Sequence, residues 1–269
     1  MPGFASLSIA SALKVASLNL CTDEYLLLLA RPHEIASVTR LAQDPAESPL
    51  WRQARAFPAN HGSVEQVIGA RPTLLLTMGG SGRSSSYLAR RMGVRTIDLP
   101  YASSIADVAT NMRRVAAALG DARRADPWLA RLAALQRGAS GRHRDAIFVS
   151  GGGNSLSPGS PATQWMALAG LKQRRLTGGK ADLETLLVAP PSVLLRSDYR
   201  RGQTSQGMRW FDHPIVKRLE QRTITTDGRA WTCGGPLMVS EIERLRGRVA
   251  KGSAHPSIPS QKWEGRKIR

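Results

Sequence analysis

Val64-Glu-Gln-Val-Ile-Gly-Ala-Arg-Pro-Thr-Leu-Leu-Leu76 and Leu183-Glu-Thr-Leu-Leu-Val-Ala-Pro-Pro-Ser-Val-Leu-Leu195 are two copies of one pattern. At a single constant offset, Glu65 is set against Glu184, Ala70 against Ala189, Pro72 against Pro191, Leu75 against Leu194 and Leu76 against Leu195. Each copy spells a short helix, a proline break and an apolar run. Such a run is what a parallel strand covered on both faces requires. Helix–proline–strand is common grammar in α/β folds. The pair reads as a structural repeat because a long helical stretch lies between its copies.

Outward from the first copy, Val15–Leu20 reads as a strand running into Cys21-Thr22-Asp23-Glu24, where Thr22 or Asp23 is expected to cap a helix through Ala30. Ile35–Thr39 reads as a second strand and Ser63 as the cap of the repeat's first helix. A Gly/Ser-rich loop, Gly79–Ser86, follows the strand Thr73–Met78, and Val94–Leu99 is another strand. From Ser103 the period changes. Ile105, Val108, Met112, Val115 and Leu119 recur at helical spacing. Gly120-Asp121 marks an interruption, and Asp126-Pro127 offers a cap with proline in the first turn. The second half restarts with the strand Ala146–Val149 and the loop Ser150–Asn154. It closes on a helix, Met238–Val249, with glutamates early and arginines late, as the helix dipole favours. The fold class expected is α/β: two similar α/β lobes joined by a long central helix, with a ligand cleft between them. The boundaries expected are a truncated export signal over 1–13, an N-terminal lobe over 14–102, a connecting helical segment over 103–140, a C-terminal lobe over 141–250 and a disordered basic tail over 251–269.

The formal net charge of +18 invites a nucleic-acid reading. Against it, the charge is spread along the chain and aromatic residues are few. No stacking motif, helix-turn-helix or zinc-finger spacing is present. The charge suits a basic surface and an anionic ligand better. No 18-residue apolar run spans a membrane. The loops Gly79-Gly80-Ser81-Gly82 and Gly151-Gly152-Gly153-Asn154 lack the Gly-Lys-Ser/Thr of a phosphate loop and the acidic partner of a dinucleotide fingerprint. The five histidines show no metal-ligand spacing, and no G-x-S-x-G elbow supports a nucleophilic serine.

In the order of these elements the chain resembles the periplasmic binding proteins of cobalamin, ferric-siderophore and haem importers. The resemblance rests on Val15–Glu24, on the Leu/Val-Glu…Pro-x-Leu-Leu-Leu unit in both halves, on the Gly-rich loop before Ser160 and on the central helix. It implies a bilobal, monomeric, periplasmic protein that is not an enzyme and carries no cofactor of its own. Its ligand would be a metal chelate, its partner an inner-membrane ABC permease, and no nucleic acid is expected. The acidic lobe-tip residues with which such proteins dock are missing here: Gly82–Ser86 and Tyr199–Gly202 are basic or neutral. The rival reading is an enzyme handling metallocofactors on a related two-lobed scaffold.

The candidate ligand contacts are Cys21, Arg40, Gly79, Gly80, Ser81, Tyr101, Gly152, Asn154, Trp231 and Cys233, all at strand-to-helix loops. For the cysteines three readings stand: small apolar residues, a disulfide bridging the lobes, or a thiolate from Cys21 or Cys233 on the metal of a bound chelate. Trp231, in a glycine-flanked loop, suits a flat macrocycle, and Arg40 suits a ligand carboxylate.

Overall fold

Two parallel sheets carry the chain, and the repeat holds the same place in each. In the first, β1 (Val15–Ser17), β2 (Ile35–Thr39), β3 (Ala59–Asn60), β4 (Leu74–Met78) and β5 (Arg95–Leu99) lie in the order β3-β2-β1-β4-β5. In the second, β6 (Arg144–Val149), β7 (Leu171–Gln173), β8 (Val193–Asp198) and β9 (Thr223–Asp227) lie in the order β7-β6-β8-β9. Apart from β3 the two orders are the same. The apolar strands of the repeat, β4 and β8, each pair with the first strand of their sheet. Leu75 lies opposite Ala16, and Leu194 opposite Ile147. The computed structural model describes residues 13–80, 83–139, 141–199 and 205–252, with backbone alone for 83–86 and 252. All but Leu13 of the expected export signal, and the basic tail beyond Gly252, lie outside the described residues.

Helices cover both sheets. Those of the first half are α1 (Leu20–Leu29), α2 (Arg40–Gln43), α3 (Trp51–Ala54), α4 (Val64–Val67) and α5 (Arg83–Arg91). The connection is made by α6 (Ile105–Ala118) and α7 (Asp126–Arg137), and the second half holds α8 (Pro161–Leu168), α9 (Leu183–Val188), α10 (Pro214–Lys217), α11 (Gly228–Cys233) and α12 (Leu237–Gly252). The long central helix is thus two helices. The Ser104 hydroxyl caps α6 by accepting from the Asp107 N–H at 3.2 Å. Gly120, at φ +84°, supplies the left-handed turn that ends it, and the Asp121 carboxylate restarts the chain by accepting from Arg123 N–H at 3.1 Å.

Side chains alternate along a strand, and here the alternation separates one shared core from two local ones. Leu74 and Leu76 of β4, with Val193 and Leu195 of β8, join one buried cluster with Met112, Val115, Leu132, Leu135, Ile242 and Leu245 of α6, α7 and α12. Leu75 instead packs with Val64, Val67 and Ala89, and Leu194 with Leu186, Phe211 and Val216. The sheets therefore meet through a continuous apolar interior and not through a bare linker. Polar ties reinforce it. Arg131 of α7 grips Glu243 of α12 through two bonds of 2.9 and 2.5 Å and donates to Ser240 at 2.7 Å. Arg124 holds Glu34, just before β2, at 2.5 and 2.8 Å.

Candidate functional site

The main cleft, of about 970 Å³, opens where β1, β2 and β3 end. Ligand sites in open α/β sheets gather at such strand ends because the loops there are free of ladder bonds. Asn19, and not Thr22 or Asp23, caps α1: its side-chain oxygen accepts from Cys21 N–H at 2.8 Å. Thr22 and Asp23 turn inward instead and are buried. The Asp23 carboxyl accepts from Thr39 N–H at 3.1 Å and from the Thr39 hydroxyl. The same hydroxyl oxygen caps α2 by accepting from Ala42 N–H. Asp23 thereby fixes the short helix that carries Arg40 and Leu41 into the cleft. Burial raises its carboxyl to about 7, against the lowering effect of the Thr39 and Ser17 hydrogen bonds. Asn60 seals the floor. Its amide donates to Ser17 C=O at 2.9 Å and Val38 C=O at 3.0 Å, and its oxygen accepts from Gly62 N–H at 2.8 Å.

The second half reaches the cleft through one lining residue, Thr232. Cys21 and Cys233 form a disulfide across 212 residues of sequence, and Thr232 lines the cleft beside it. Neither sulfur is left as a thiolate, so direct ligation of a chelate's metal by Cys21 or Cys233 is corrected: both are spent on each other. Arg229, paired with Asp227 at 2.6 Å, reaches over to donate to Pro45 C=O at 2.6 Å. The Tyr199 hydroxyl bonds the Glu47 carboxylate, and Ile105 N–H donates to Gln164 Oε1 at 3.2 Å. Glu24 is buried against Gly235, at the turn between α11 and α12. Burial pushes its carboxyl up, partly offset by the Leu237 N–H.

The sequence-derived contacts do not share one cavity. Cys21 and Arg40 line the main cleft; Arg40 is exposed and has no partner among the described residues. Trp231 and Cys233 line a smaller recess of about 170 Å³ with Ala102, Ser104, Ser160 and Trp165. Trp231 sits on α11, not in a loop. It packs on Phe148 at 5.1 Å, and its indole N–H is committed to Thr226 at 2.7 Å. Gly79, Gly80, Tyr101, Gly152 and Asn154 line neither cavity. Gly79, at φ +75°, lies under the Tyr101 ring so closely that a Cβ would stand 2.0 Å from it. Gly80 N–H donates to Asp98 at 2.9 Å, Gly152 N–H to Gly207 C=O at 2.7 Å, and the Asn154 amide to Gly151 C=O at 2.7 Å. Ser81 lies outside the described residues, as do the tip residues Gly82 and 200–202, and the side chains of 83–86.

Sequence reasoning missed Asn19, Asp44, Arg55 and His61, which also line the cleft. Arg55 stacks over Trp51 at 4.6 Å and donates to Gln43 C=O at 3.3 Å, which holds its guanidinium in place. His61 is exposed. Its backbone is tied to Gln66 at 2.6 Å, and its imidazole has no partner among the described residues. The signal for His61 was its place directly after a strand, but β3 is only Ala59–Asn60 and leaves no period to read. Among the described residues no His/Cys/Asp/Glu group is placed to hold a metal ion by itself, and no helix is long and apolar enough to cross a membrane.

The sequence of residues 15–144 matches the family model described as periplasmic binding protein. A comparison with curated protein sequences finds no match. Among solved structures, the periplasmic heme-binding protein RhuT from Roseiflexus sp. RS-1 superposes with a TM-score of 0.67 at 20% identity, over 90% of this chain and 99% of that one. Periplasmic heme-binding protein HutB of Vibrio cholerae gives 0.67 at 15% identity, over 89% and 99%. Periplasmic vitamin B12 binding protein BtuF of Vibrio cholerae gives 0.61 at 16%, over 90% and 98%. At these identities the likeness is one of fold.

Proposed function

We propose that this chain is the substrate-binding component of an ABC importer, a reading supported by the match of residues 15–144 to the periplasmic binding protein model and by the fold. It captures a metal chelate in the cleft between its lobes and delivers it, in the periplasm and as a monomer, to a membrane permease. The lobes are residues 14–102 and 141–250, with 103–140 connecting them. The family is one of binding proteins, which favours this reading over a metallocofactor enzyme.

The observation that carries the reading is the main cleft itself. It lies at strand ends, is lined by residues 18–62 with Thr232 from the second half, and its volume of about 970 Å³ suits a large ligand. Within the chelate class, its side chains favour haem. Arg40 and Arg55 offer forked donors for carboxylates, and the free imidazole of His61 offers an axial nitrogen for iron. The disulfide and Leu41 give the flat body of the ligand an apolar surface. The haem- and vitamin B12-binding proteins that share the fold make these two ligands the first to test.

The test is titration with ferric haem, cyanocobalamin and ferrichrome, followed by tryptophan fluorescence and, for haem, by its Soret band. Saturable binding of haem is expected. Arg40→Ala with Arg55→Ala should weaken it at least tenfold, about 1.4 kcal/mol or more. His61→Ala should move the Soret maximum in a protein that stays folded. Binding of cyanocobalamin alone would transfer the assignment to corrinoids. Flat titrations with all three, in folded protein, would remove the metal-chelate reading.

A further inference from the structure

A second cavity, of about 570 Å³, lies wholly within the second half, away from the cleft. It runs along β7, the edge strand of the second sheet, between that strand and the outer side of α8. Its origin is local. Thr163 and Ala167 stand four residues apart on α8, so they share a helix face, and both are small. The helix therefore leaves a gap over the strand. Leu156, Leu171 and Pro158 give the gap an apolar lining.

The charge around this gap is one-sided. His143, Lys172, Arg174 and Arg175 line it, and among the described residues no acidic side chain does. Arg174 is already neutralised: it pairs with Asp145 through two bonds and donates to Ala189 C=O. Lys172 and Arg175 are exposed, and neither they nor His143 has a hydrogen-bond or ion-pair partner among the described residues. An apolar pocket with a few convergent polar groups is the usual form of a small-molecule site. Here the uncommitted charged groups, Lys172 and Arg175, are both cationic.

We infer that this groove is a second ligand site, and that it takes a small amphipathic organic anion: an aromatic or aliphatic body against Leu156, Ala167 and Leu171, and a carboxylate, sulfonate or phosphate between Lys172 and Arg175. Lys172 and Arg175 provide the recognition, since of the described residues lining the groove they are the two whose full positive charge has no ion-pair partner. The site is independent of the cleft and of what the cleft holds. It also gives part of the +18 net charge a local purpose.

The probe is 1-anilinonaphthalene-8-sulfonate, an amphipathic anion, titrated calorimetrically into the full chain. One saturable site is expected. Lys172→Glu with Arg175→Glu should weaken it at least tenfold, and Ala167→Phe, which fills the groove without altering charge, should abolish it. Arg40→Glu with Arg55→Glu, in the cleft, should leave it within twofold. The neutral analogue N-phenyl-1-naphthylamine should bind at least tenfold more weakly. Unchanged binding in the groove variants, loss of binding in the cleft variant or equal binding of the neutral analogue would each overturn the assignment. So would tight binding of a glutamate-rich peptide with no binding of the sulfonate, which would make the groove a peptide-docking edge instead.

Discussion

Removing the disulfide by Cys21→Ser with Cys233→Ser separates what the bond does for stability from what the shared core does for the cleft. The two sulfurs are 212 residues apart. On the chain-entropy model, closing a loop of that length restricts the unfolded chain by roughly 5 kcal/mol at 25 °C. Native disulfides deliver less than this ceiling, so a loss of about 2–4 kcal/mol is expected. For a chain of this size each kcal/mol moves the melting temperature by about 2–4 °C. The double variant should therefore melt roughly 5–15 °C lower. The cleft should survive, because Arg229 still reaches Pro45, Tyr199 still bonds Glu47, and the apolar cluster from β4 to β8 stays continuous. Ligand affinity measured well below the melting point should change less than threefold. The assay is thermal and urea denaturation of the oxidised protein and the double serine variant, with ligand titration of both at 15 °C. A melting shift under 2 °C would refute the bond as a constraint on the unfolded chain. Loss of binding without a melting shift would refute the core as the element that positions the walls.

Asp23→Asn tests the buried carboxyl beneath the cleft. With the folded value raised to about 7 from 3.8, the folded protein holds the Asp23 proton where the unfolded chain has lost it. Its contribution is therefore full below about pH 4 and is lost as pH rises through 7. In urea titrations the variant should show a flatter fall of stability between pH 4 and 7 and be the more stable protein at pH 8; a slope equal to wild type would contradict the assignment. Arg124→Ala should cost about 2–3 kcal/mol, because it strands the Glu34 carboxylate, whose side chain is 7% exposed. Glu34 runs in the opposite sense to Asp23: Arg124 holds it below the usual carboxylate range, so its stabilising effect is present above about pH 4.5 and is lost on acidification. The Arg124→Ala penalty measured by denaturation should accordingly shrink at pH 3, and a penalty independent of pH would refute the pairing.

The fold was legible because a parallel sheet imposes its own sequence rule. Leu74–Met78 and Val193–Leu195 are covered on both faces, so every residue must be compatible with burial, and the run shows even without a period. The prolines before both runs and the glycine at 120 supplied the punctuation. The cleft was less legible, for reasons that are geometric. Its floor is built from the ends of β1, β2 and β3, which are scattered over more than 40 residues of sequence between Asn19 and Gly62. β3 is too short to announce itself. Asp23 was read as a cap because a carboxylate beside a helix start usually is one. Only the fold shows that Asn19 already fills that role and that Thr39 sits where Asp23 can bond it inside. The glycine loops were read as ligand contacts because flexible backbone suits close approach. In the structure they are spent on local turns, on Tyr101 and on Gly207.

The disposition of the ties between the halves bears on how a ligand is caught. In a protein whose lobes meet only through a flexible linker, closure orders the hinge, and that cost is subtracted from the affinity. Here the two sheets share one buried cluster, and a covalent bond, an arginine bridging two main-chain carbonyls and a tyrosine–carboxylate pair cross between them. Little closure remains to be made, so little ordering is lost. The recognition we propose then rests on groups the fold already places: Arg55 stacked on Trp51, and Arg40 at the start of a helix that Asp23 anchors through Thr39. A site of this kind gains affinity by complementarity to a rigid ligand and not by folding around a flexible one. That rigidity is why we propose a macrocyclic chelate as the ligand. It is also why substitutions in the anchor, such as Thr39→Val, should weaken binding although Thr39 contributes only the edge of the cleft.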